Sequence, residues 1–124
     1  MVHDGQGRLL LIRRGHAPSA GLWSVPGGRM EAGETEAAAV VRETAEETGL
    51  QVRPDRVLGR VRIDGDGVVF TVTDFACTLL EPAQPPVAGD DADDVVFVDA
   101  AGLTALDMAP GVVAALSGWG ALPG

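Results

Sequence analysis

The chain has 124 residues, of which 46% are hydrophobic and 17 are glycine, a composition that predicts one globular, loop-rich domain over residues 1–124. Its net charge of −9 at pH 7 argues against nonspecific binding to a nucleic acid polymer or to an anionic membrane. The same charge is compatible with a small phosphorylated partner, because bound cations and nearby arginines set the field inside a site.

Cysteine content and hydropathy give an expectation for the compartment. Cys77 is the only cysteine, so no disulfide framework can form within the chain. No apolar run reaches the roughly 18 residues needed to cross a bilayer, and no basic segment precedes an apolar signal-peptide core. We therefore expect a cytoplasmic protein without a membrane partner.

The first part of the chain predicts two strands. Residues 4–7 indicate a turn, and residues 8–14 form a short apolar run with basic ends that is typical of a buried strand. A loop follows, and residues 22–25 can form a shorter strand. The Pro-Gly-Gly segment at residues 26–28 is a tight loop that leads into the next element.

A helix is predicted after this loop, with a suitable residue at each end. Thr35 is an N-cap, Glu36 suits the positive end of the helix dipole, and Gly49 is a C-terminal stop. At about 100° per residue, one face carries small or apolar side chains that we expect to pack into the core. These are Ala38, Val41, Ala45 and Thr48.

A hairpin is predicted beyond the helix. Residues 57–63 and 68–80 are its two strands, joined by the Asp-Gly-Asp-Gly turn at residues 64–67. The proline-containing segment 81–89 is a loop, because proline cannot join the interior of a sheet.

The C-terminal part predicts one more strand and two helices. Residues 95–98 form the strand, and Asp99 caps a short helical segment that ends at Leu106. Pro110 fits the first turn of a closing helix. That helix carries Val112, Val113, Leu116 and Trp119.

Three glutamates, Glu43, Glu46 and Glu47, fall on the helix face opposite to the predicted core face, at positions i, i+3 and i+4. Carboxylates at this spacing repel one another, so the pattern favours a compensating cation. A hard divalent cation with oxygen ligands is the simplest candidate, Mg²⁺ first and Mn²⁺ as the alternative. An ordinary solvated face is the other interpretation.

The residues around these glutamates follow a fixed spacing. The positions that carry it are Gly28, Glu34, Arg42, Glu43, Glu46, Glu47, Gly49 and Leu50. This pattern resembles the signature box of the Nudix (MutT-like) hydrolase family, and the resemblance extends to residues 22–27 before the box. Thr44 is the one departure, since the family prefers an aliphatic residue there.

The resemblance implies a fold and an activity. The fold is an α/β/α sandwich in which a mixed sheet lies between helices and the box forms loop–helix–loop. The activity is metal-dependent hydrolysis of the diphosphate linkage in a small nucleoside diphosphate derivative, such as a nucleoside triphosphate or ADP-ribose. The alternative is a nucleotide-binding sensor module of the same fold without catalysis, although such modules usually lose box carboxylates that are all present here.

The resemblance also implies roles for the box residues. Glu43, Glu46, Glu47 and the backbone carbonyl of Gly28 are the expected metal ligands, and Glu46 is also counted as catalytic. A glycine at position 28 permits close approach of the metal.

Two further box residues are catalytic candidates. Arg42 lies one turn before Glu46 and is expected to orient the carboxylates. Glu34 is expected to hydrogen-bond within the site or to assist proton transfer, and its alternative interpretation is an exposed loop carboxylate.

Residues outside the box supply a candidate base and candidate phosphate contacts. Asp91 lies in an acidic loop before the last strand, where the family often places a base or an extra ligand. A purely solvated acidic loop is the alternative. The best candidates for binding substrate phosphate are the arginines that flank the box loop. They are Arg13, Arg14 and Arg29.

The start of the sequence leads to an expectation about assembly. In relatives, a full apolar strand precedes the turn at residues 4–7, whereas here only residues 1–3 do so. We therefore expect the strand at residues 8–14 to expose unpaired backbone groups over part of its length. A homodimer that buries this edge is the symmetric remedy.

Overall fold

The computed structural model describes residues 1–17, 19–27, 30–65 and 67–124, and the predicted order of strands and helices is confirmed within them. The strands are β1 (Leu9–Arg14), β2 (Trp23–Ser24), β3 (Val52–Gly65), β4 (Val68–Leu79) and β5 (Ala92–Val98). The helices are α1 (Glu36–Thr48), α2 (Ala100–Ala105) and α3 (Val112–Gly118). No helix among the described residues combines the length and apolar character that a membrane crossing requires.

β1 lies inside its sheet. β5 pairs with it antiparallel along its whole length, and β2 pairs antiparallel with its C-terminal half. At the N-terminal half of β1, the Leu10 N–H donates to the Val2 carbonyl at 2.9 Å, and His3 forms an isolated antiparallel β-bridge with Leu9. The predicted open edge of β1 is therefore wrong, because the first three residues cover the half that β2 leaves. The open edge was the structural reason for expecting a homodimer, so the homodimer stays a prediction without that support.

The N-terminal segment also joins β1 to the hairpin of β3 and β4. The Cys77 N–H on β4 donates to the Met1 carbonyl at 2.9 Å, and Val2 runs parallel to Cys77. The hairpin itself is antiparallel, and it begins at Val52 rather than at Val57. Asp66 of its predicted turn lies outside the described residues. The strands thus form two antiparallel sheets, β2–β1–β5 and β3–β4, rather than one mixed sheet. In the described part of the chain, parallel pairing occurs only at the isolated bridges of Val2 with Cys77 and of Trp23 with Met108.

Two apolar cores lie on the two faces of β1, because successive side chains of a strand point to opposite faces. Leu9 and Leu11 are fully buried and pack with Leu116 of α3. Leu10 is also fully buried and packs on the other face, where Val40 of α1 lies. Each buried leucine side chain contributes roughly 2 kcal/mol. Helices therefore lie on both sides of β1, as an α/β/α sandwich requires.

The ends of α1 match the prediction. The Thr35 hydroxyl accepts a hydrogen bond from the Ala38 N–H at 3.0 Å, and Gly49 ends the helix with a φ of +72°. Glycine adopts this left-handed conformation without a steric penalty.

The buried face of α1 differs from the predicted one. Its buried residues are Ala39, Thr44, Glu47 and Thr48. Of the predicted core residues, Ala38 is exposed, Val41 and Ala45 are half-buried, and only Thr48 is fully covered. The prediction failed because it assigned all three glutamates to the opposite face, whereas Glu47 turns towards the protein. At α3, Gly111 is the N-cap, so Pro110 precedes the first turn rather than lying in it.

Candidate active site

Arg42 is the centre of an ion-pair network formed with glutamates of the box. Its Nε and Nη2 donate to the two carboxylate oxygens of Glu34, at 2.6 and 3.0 Å. Its Nη1 donates to Glu43 at 2.8 Å and to Glu46 at 3.2 Å. The hydrogen bonds that Arg42 donates to Glu34, and then to Glu43, raise the pKa of Arg42, and its bond to Glu34 lowers the pKa of that carboxylate. One cation thus holds three box carboxylates in fixed orientations.

Glu47 is the buried carboxylate of the box. Its side chain accepts a hydrogen bond from the Gly27 N–H at 3.0 Å, and the residue is only 5% exposed. Burial raises the pKa of Glu47 to about 8, and the negative charges of Glu43 and Asp91 act in the same direction. The Gly27 N–H and the Arg14 charge oppose this rise in pKa. Glu47 therefore lies among charges contributed by three separate elements.

Asp91 reaches the site from the loop before β5. Its backbone has a φ of +65°, in the left-handed region, where aspartate is tolerated better than most residues. Its carbonyl accepts a hydrogen bond from the Gly15 N–H at 3.0 Å. A Cβ atom on Gly15 would lie 3.1 Å from that oxygen, so a glycine allows the two backbones to approach. This contact fixes the backbone of the candidate base.

The same loop is fastened to the C-terminal end of α1. The N–H groups of Val87 and Gly89 donate to the carbonyls of Thr48 and Glu47, at 2.9 and 3.0 Å. These carbonyls lie in the last turn, where a helix has no partners of its own for them. The acidic loop and the glutamate helix therefore form one connected unit.

A groove with a volume of about 750 Å³ lies beside this unit. Its walls include Glu43 and Glu47 from α1, Asp91 from the acidic loop and Arg14 from the end of β1. The volume falls in the range of roughly 300–1,000 Å³ that is typical of small-molecule sites. Four of the residues proposed from the sequence thus share one cavity.

The remaining predicted residues lie elsewhere. Glu34, Arg42 and Glu46 belong to the ion-pair network and do not line the groove. Arg13 is adjacent to Arg14 in β1 but does not line the groove either. Gly28 and Arg29 lie outside the described residues.

Sequence reasoning missed several residues that shape the groove. Asp74 of β4, Arg62 of β3 and Trp119 at the end of α3 all line it. Asp74 and Arg62 carry no local motif, and Trp119 was predicted only as one of the residues of the closing helix. Only the pairing of distant elements reveals these three positions.

The donor set of the groove fits a hard divalent cation. Glu43, Glu47 and Asp91 line it, and carboxylate oxygens are the ligands that Mg²⁺ and Mn²⁺ prefer. Within the described ranges, no three Asp, Glu, His or Cys side chains are grouped closely enough to hold a metal by themselves. Mg²⁺ commonly uses one or two carboxylates together with waters and substrate phosphates, so two carboxylates from α1 are sufficient.

Comparison with known proteins agrees with this geometry. A family model described as the NUDIX domain matches residues 1–115. The chain belongs to the Nudix family. Members of this family generally depend on a divalent metal, in agreement with the donor set of the groove.

Two curated relatives and one solved structure show the extent of the similarity. The chain is 36% identical over 101 residues to an ADP-ribose pyrophosphatase of Methanocaldococcus jannaschii, covering 79% of this chain and 58% of that protein. It is 46% identical over 66 residues to a candidate 8-oxo-dGTP diphosphatase of Mycobacterium tuberculosis, covering 52% of this chain and 45% of that protein. The Nudix chain thus spans about half the length of these curated relatives.

The solved structure supports the fold. A Nudix hydrolase from Nitrosomonas europaea superposes with a TM-score of 0.78 at 18% identity, covering 98% of this chain and 87% of that chain. At this identity the likeness concerns the Nudix fold alone.

Proposed function

We propose that this Nudix chain hydrolyses the diphosphate linkage of a small nucleoside diphosphate derivative, with Mg²⁺ or Mn²⁺ as its cofactor. The observation that carries the proposal is the single groove lined by Glu43, Glu47, Asp91 and Arg14. Its carboxylates suit a cation, and its arginine suits a phosphate. The names of the two curated relatives, an ADP-ribose pyrophosphatase and a candidate 8-oxo-dGTP diphosphatase, support this class of reaction.

The metal site is assigned to Glu43 and Glu47 in the groove. Glu46 and the carbonyl of Gly28 keep the ligand roles that the family resemblance implies. A bound divalent cation would neutralise charge on the phosphate oxygens during the reaction. Glu47 is held by the Gly27 N–H, and Glu43 and Glu46 are held by Arg42. These hydrogen bonds aim the carboxylates before a ligand arrives.

Asp91 is assigned as the base that accepts a proton from the attacking water. It lines the groove together with Glu43 and Glu47, and its backbone is fixed by the Gly15 N–H. A carboxylate at the wall of a water-accessible groove can accept a proton directly. Glu34 is less suited to this task, because its hydrogen bond from Arg42 lowers its pKa and thus its basicity. Glu34 and Arg42 are therefore assigned the role of positioning the other box carboxylates.

Arg14 is assigned the role of binding a phosphate group of the substrate. It lines the groove, and its charge acts on Glu47. Its guanidinium can bind phosphate oxygens in the bidentate geometry that arginine favours. Arg29 keeps its predicted phosphate role, whereas the position of Arg13 outside the groove gives its predicted role no support. The cytoplasmic location stays a prediction.

The test is a panel of nucleoside triphosphates, oxidised purine triphosphates and nucleotide sugars, incubated with Mg²⁺ or Mn²⁺ and analysed for products. We expect cleavage between two phosphorus atoms, which releases a nucleoside monophosphate, and no cleavage in the presence of EDTA. Hydrolysis in ¹⁸O-labelled water would identify the attacked phosphorus. Binding of a panel member without cleavage, under any of these metal conditions, would instead favour the sensor module.

A further inference from the structure

The groove has a second group of walls, away from the box. Val112, Ala115 and Trp119 of α3 line it at i, i+3 and i+7, which places them on one side of the helix. Val61 and Val72 of the hairpin line it as well. This group is mainly apolar, unlike the wall formed by the box glutamates and Asp91.

Trp119 lies against the backbone of β3 at Gly59. A Cβ atom on Gly59 would lie 2.5 Å from the indole Nε1, 2.7 Å from Cε2 and 2.8 Å from Cζ2. Such distances are far below van der Waals contact. Gly59 therefore leaves the space that the indole fills, and any larger residue would displace the ring.

Asp74 stands beside this contact. It is the partner of Gly59 across the hairpin, and Val61 and Val72 form the next pair on the same face. Directly opposite residues of an antiparallel pair lie about 5 Å apart, so Asp74 and the indole are neighbours. A carboxylate and an aromatic ring thus share one part of the groove.

The Asp74 carboxylate lacks hydrogen-bond donors within the described part of the chain. Burial raises its pKa, and the Met1 amino group is the charge that opposes this rise. The amino group of Met1 donates its hydrogen bond to the Phe75 carbonyl instead, at 2.6 Å. A partly desolvated acceptor of this kind is stabilised by donors on a ligand.

We propose that this part of the groove binds a guanine base, with Trp119 against the ring and Asp74 accepting hydrogen bonds from its ring N–H and amino group. The proposal rests on the proposed function, since it assigns the base of the same nucleotide. Aromatic side chains are common contacts for base rings, and the Watson–Crick edge is the one that proteins read on an unpaired base.

The chemistry of the carboxylate selects guanine. An ionised Asp only accepts hydrogen bonds, and guanine presents two adjacent donors on that edge. Adenine and cytosine each present one donor next to an acceptor nitrogen, which would oppose a carboxylate oxygen. A site that hydrogen-bonds its ligand rejects analogues that leave a buried polar group unpaired.

The test uses metal-free binding of mononucleotides, so that its outcome does not depend on hydrolysis. The background variant Trp23→Phe leaves Trp119 as the only tryptophan, and GMP, IMP and AMP are titrated against its fluorescence. We expect GMP to bind at least about 10-fold more tightly than AMP, with IMP between them because it lacks the amino donor. Asp74→Asn should bring the GMP and AMP affinities to within about threefold, since an amide offers one donor and one acceptor.

Two further variants complete the design. Asp107→Asn, at an exposed carboxylate outside the groove, should leave the GMP preference unchanged. Gly59→Ala should weaken GMP and AMP alike, because it displaces the indole and leaves Asp74 in place. Equal affinities of GMP and AMP in the parent, no binding of either, or an unchanged preference in Asp74→Asn would each overturn the proposal. Cleavage of guanine and adenine substrates at equal rates would refute it while leaving the hydrolase assignment intact.

Discussion

Gly89 lies directly against the backbone carbonyl of Glu46. A Cβ atom on Gly89 would be 1.9 Å from that oxygen, and the Gly89 N–H donates to the Glu47 carbonyl at 3.0 Å. Only glycine permits this approach. The loop that carries Asp91 is therefore positioned by the helix that carries the box glutamates.

The first prediction is that Gly89→Ala disturbs both stability and catalysis. The added methyl group must push the loop away from α1, which we expect to lower the free energy of unfolding by about 1–3 kcal/mol. Because Asp91 moves with the loop, turnover should fall by about 10-fold or more. Urea unfolding and steady-state kinetics measure the two effects. Gly118→Ala is the matched control, since a Cβ atom there meets no other atom within 4 Å; similar losses in both variants would refute the argument.

The locally encoded features of this fold were predictable from the sequence. Thr35 and Gly49 delimit α1 because capping chemistry acts within a few residues. The apolar run of β1 is also a local signal, and this strand formed as expected. The two strands predicted on either side of the Asp-Gly-rich segment pair antiparallel. The box spacing likewise identified Glu34, Glu43 and Glu46, the glutamates to which Arg42 donates hydrogen bonds.

The features that sequence reasoning missed depend on distant contacts. Glu47 turns inward because the Gly27 N–H, 20 positions earlier, donates to it. Trp119 reaches the groove because Gly59 leaves room for its indole, and the three residues before the first turn cover the edge of β1. Neither helical periodicity nor composition indicates these distant contacts. The orientation of α1 and the groove wall formed by α3 and the hairpin could therefore not be derived from the sequence.

The second prediction concerns the charge of Glu47. Glu47→Gln keeps the shape of the side chain and the acceptor for the Gly27 N–H, while it removes a carboxylate ligand. We expect turnover with Mg²⁺ to fall by at least about 10²-fold. Thermal stability at pH 7 without divalent ions should be maintained, because a pKa of about 8 leaves Glu47 mostly protonated and glutamine has the same shape. Glu81→Gln, in the exposed loop after β4, is the control; if the Glu47→Gln enzyme keeps the parental turnover, the metal assignment is wrong.

The third prediction concerns Asp91 as the base. Asp91→Asn keeps the left-handed backbone, which asparagine tolerates, and removes the proton acceptor. Turnover should drop by at least about 10²-fold while KM changes little, since the loss affects the transition state alone. Asp90→Asn and Asp94→Asn should have milder effects, because neither residue lines the groove. Equal, small losses in all three variants would mean that the loop only tunes the local field.

The fourth prediction is a pH dependence of stability that arises from Asp74. Burial raises its pKa above the ordinary value of 3.8, so the folded protein binds this proton more tightly than the unfolded chain. The resulting stabilisation is fully present below that value and is lost as the pH rises through the folded pKa. Asp74→Asn should therefore gain stability over the parent at neutral pH, and the gain should shrink at about pH 4. Urea unfolding at both pH values measures it; a gain that is independent of pH would exclude this carboxylate as its source.

The last prediction concerns the geometry of Arg42 rather than its charge. Arg42 contacts both oxygens of Glu34 and one oxygen each of Glu43 and Glu46, an arrangement that needs the planar fork of a guanidinium. Lysine carries the same charge on a single nitrogen and cannot satisfy all these carboxylates at once. Arg42→Lys should therefore lower turnover by about 10- to 100-fold and raise the Mg²⁺ concentration needed for half-maximal activity.

Arg8→Lys provides the control for Arg42→Lys. Arg8 forms an ion pair with Asp4 in the turn before β1, and an exposed pair of this kind contributes about 1 kcal/mol or less. We expect Arg8→Lys to leave turnover and the Mg²⁺ requirement unchanged. If Arg42→Lys behaves in the same way, charge alone is sufficient at position 42, and the ion-pair network does not orient the box carboxylates. If turnover falls but the Mg²⁺ requirement does not change, Arg42 acts on substrate rather than on the metal ligands.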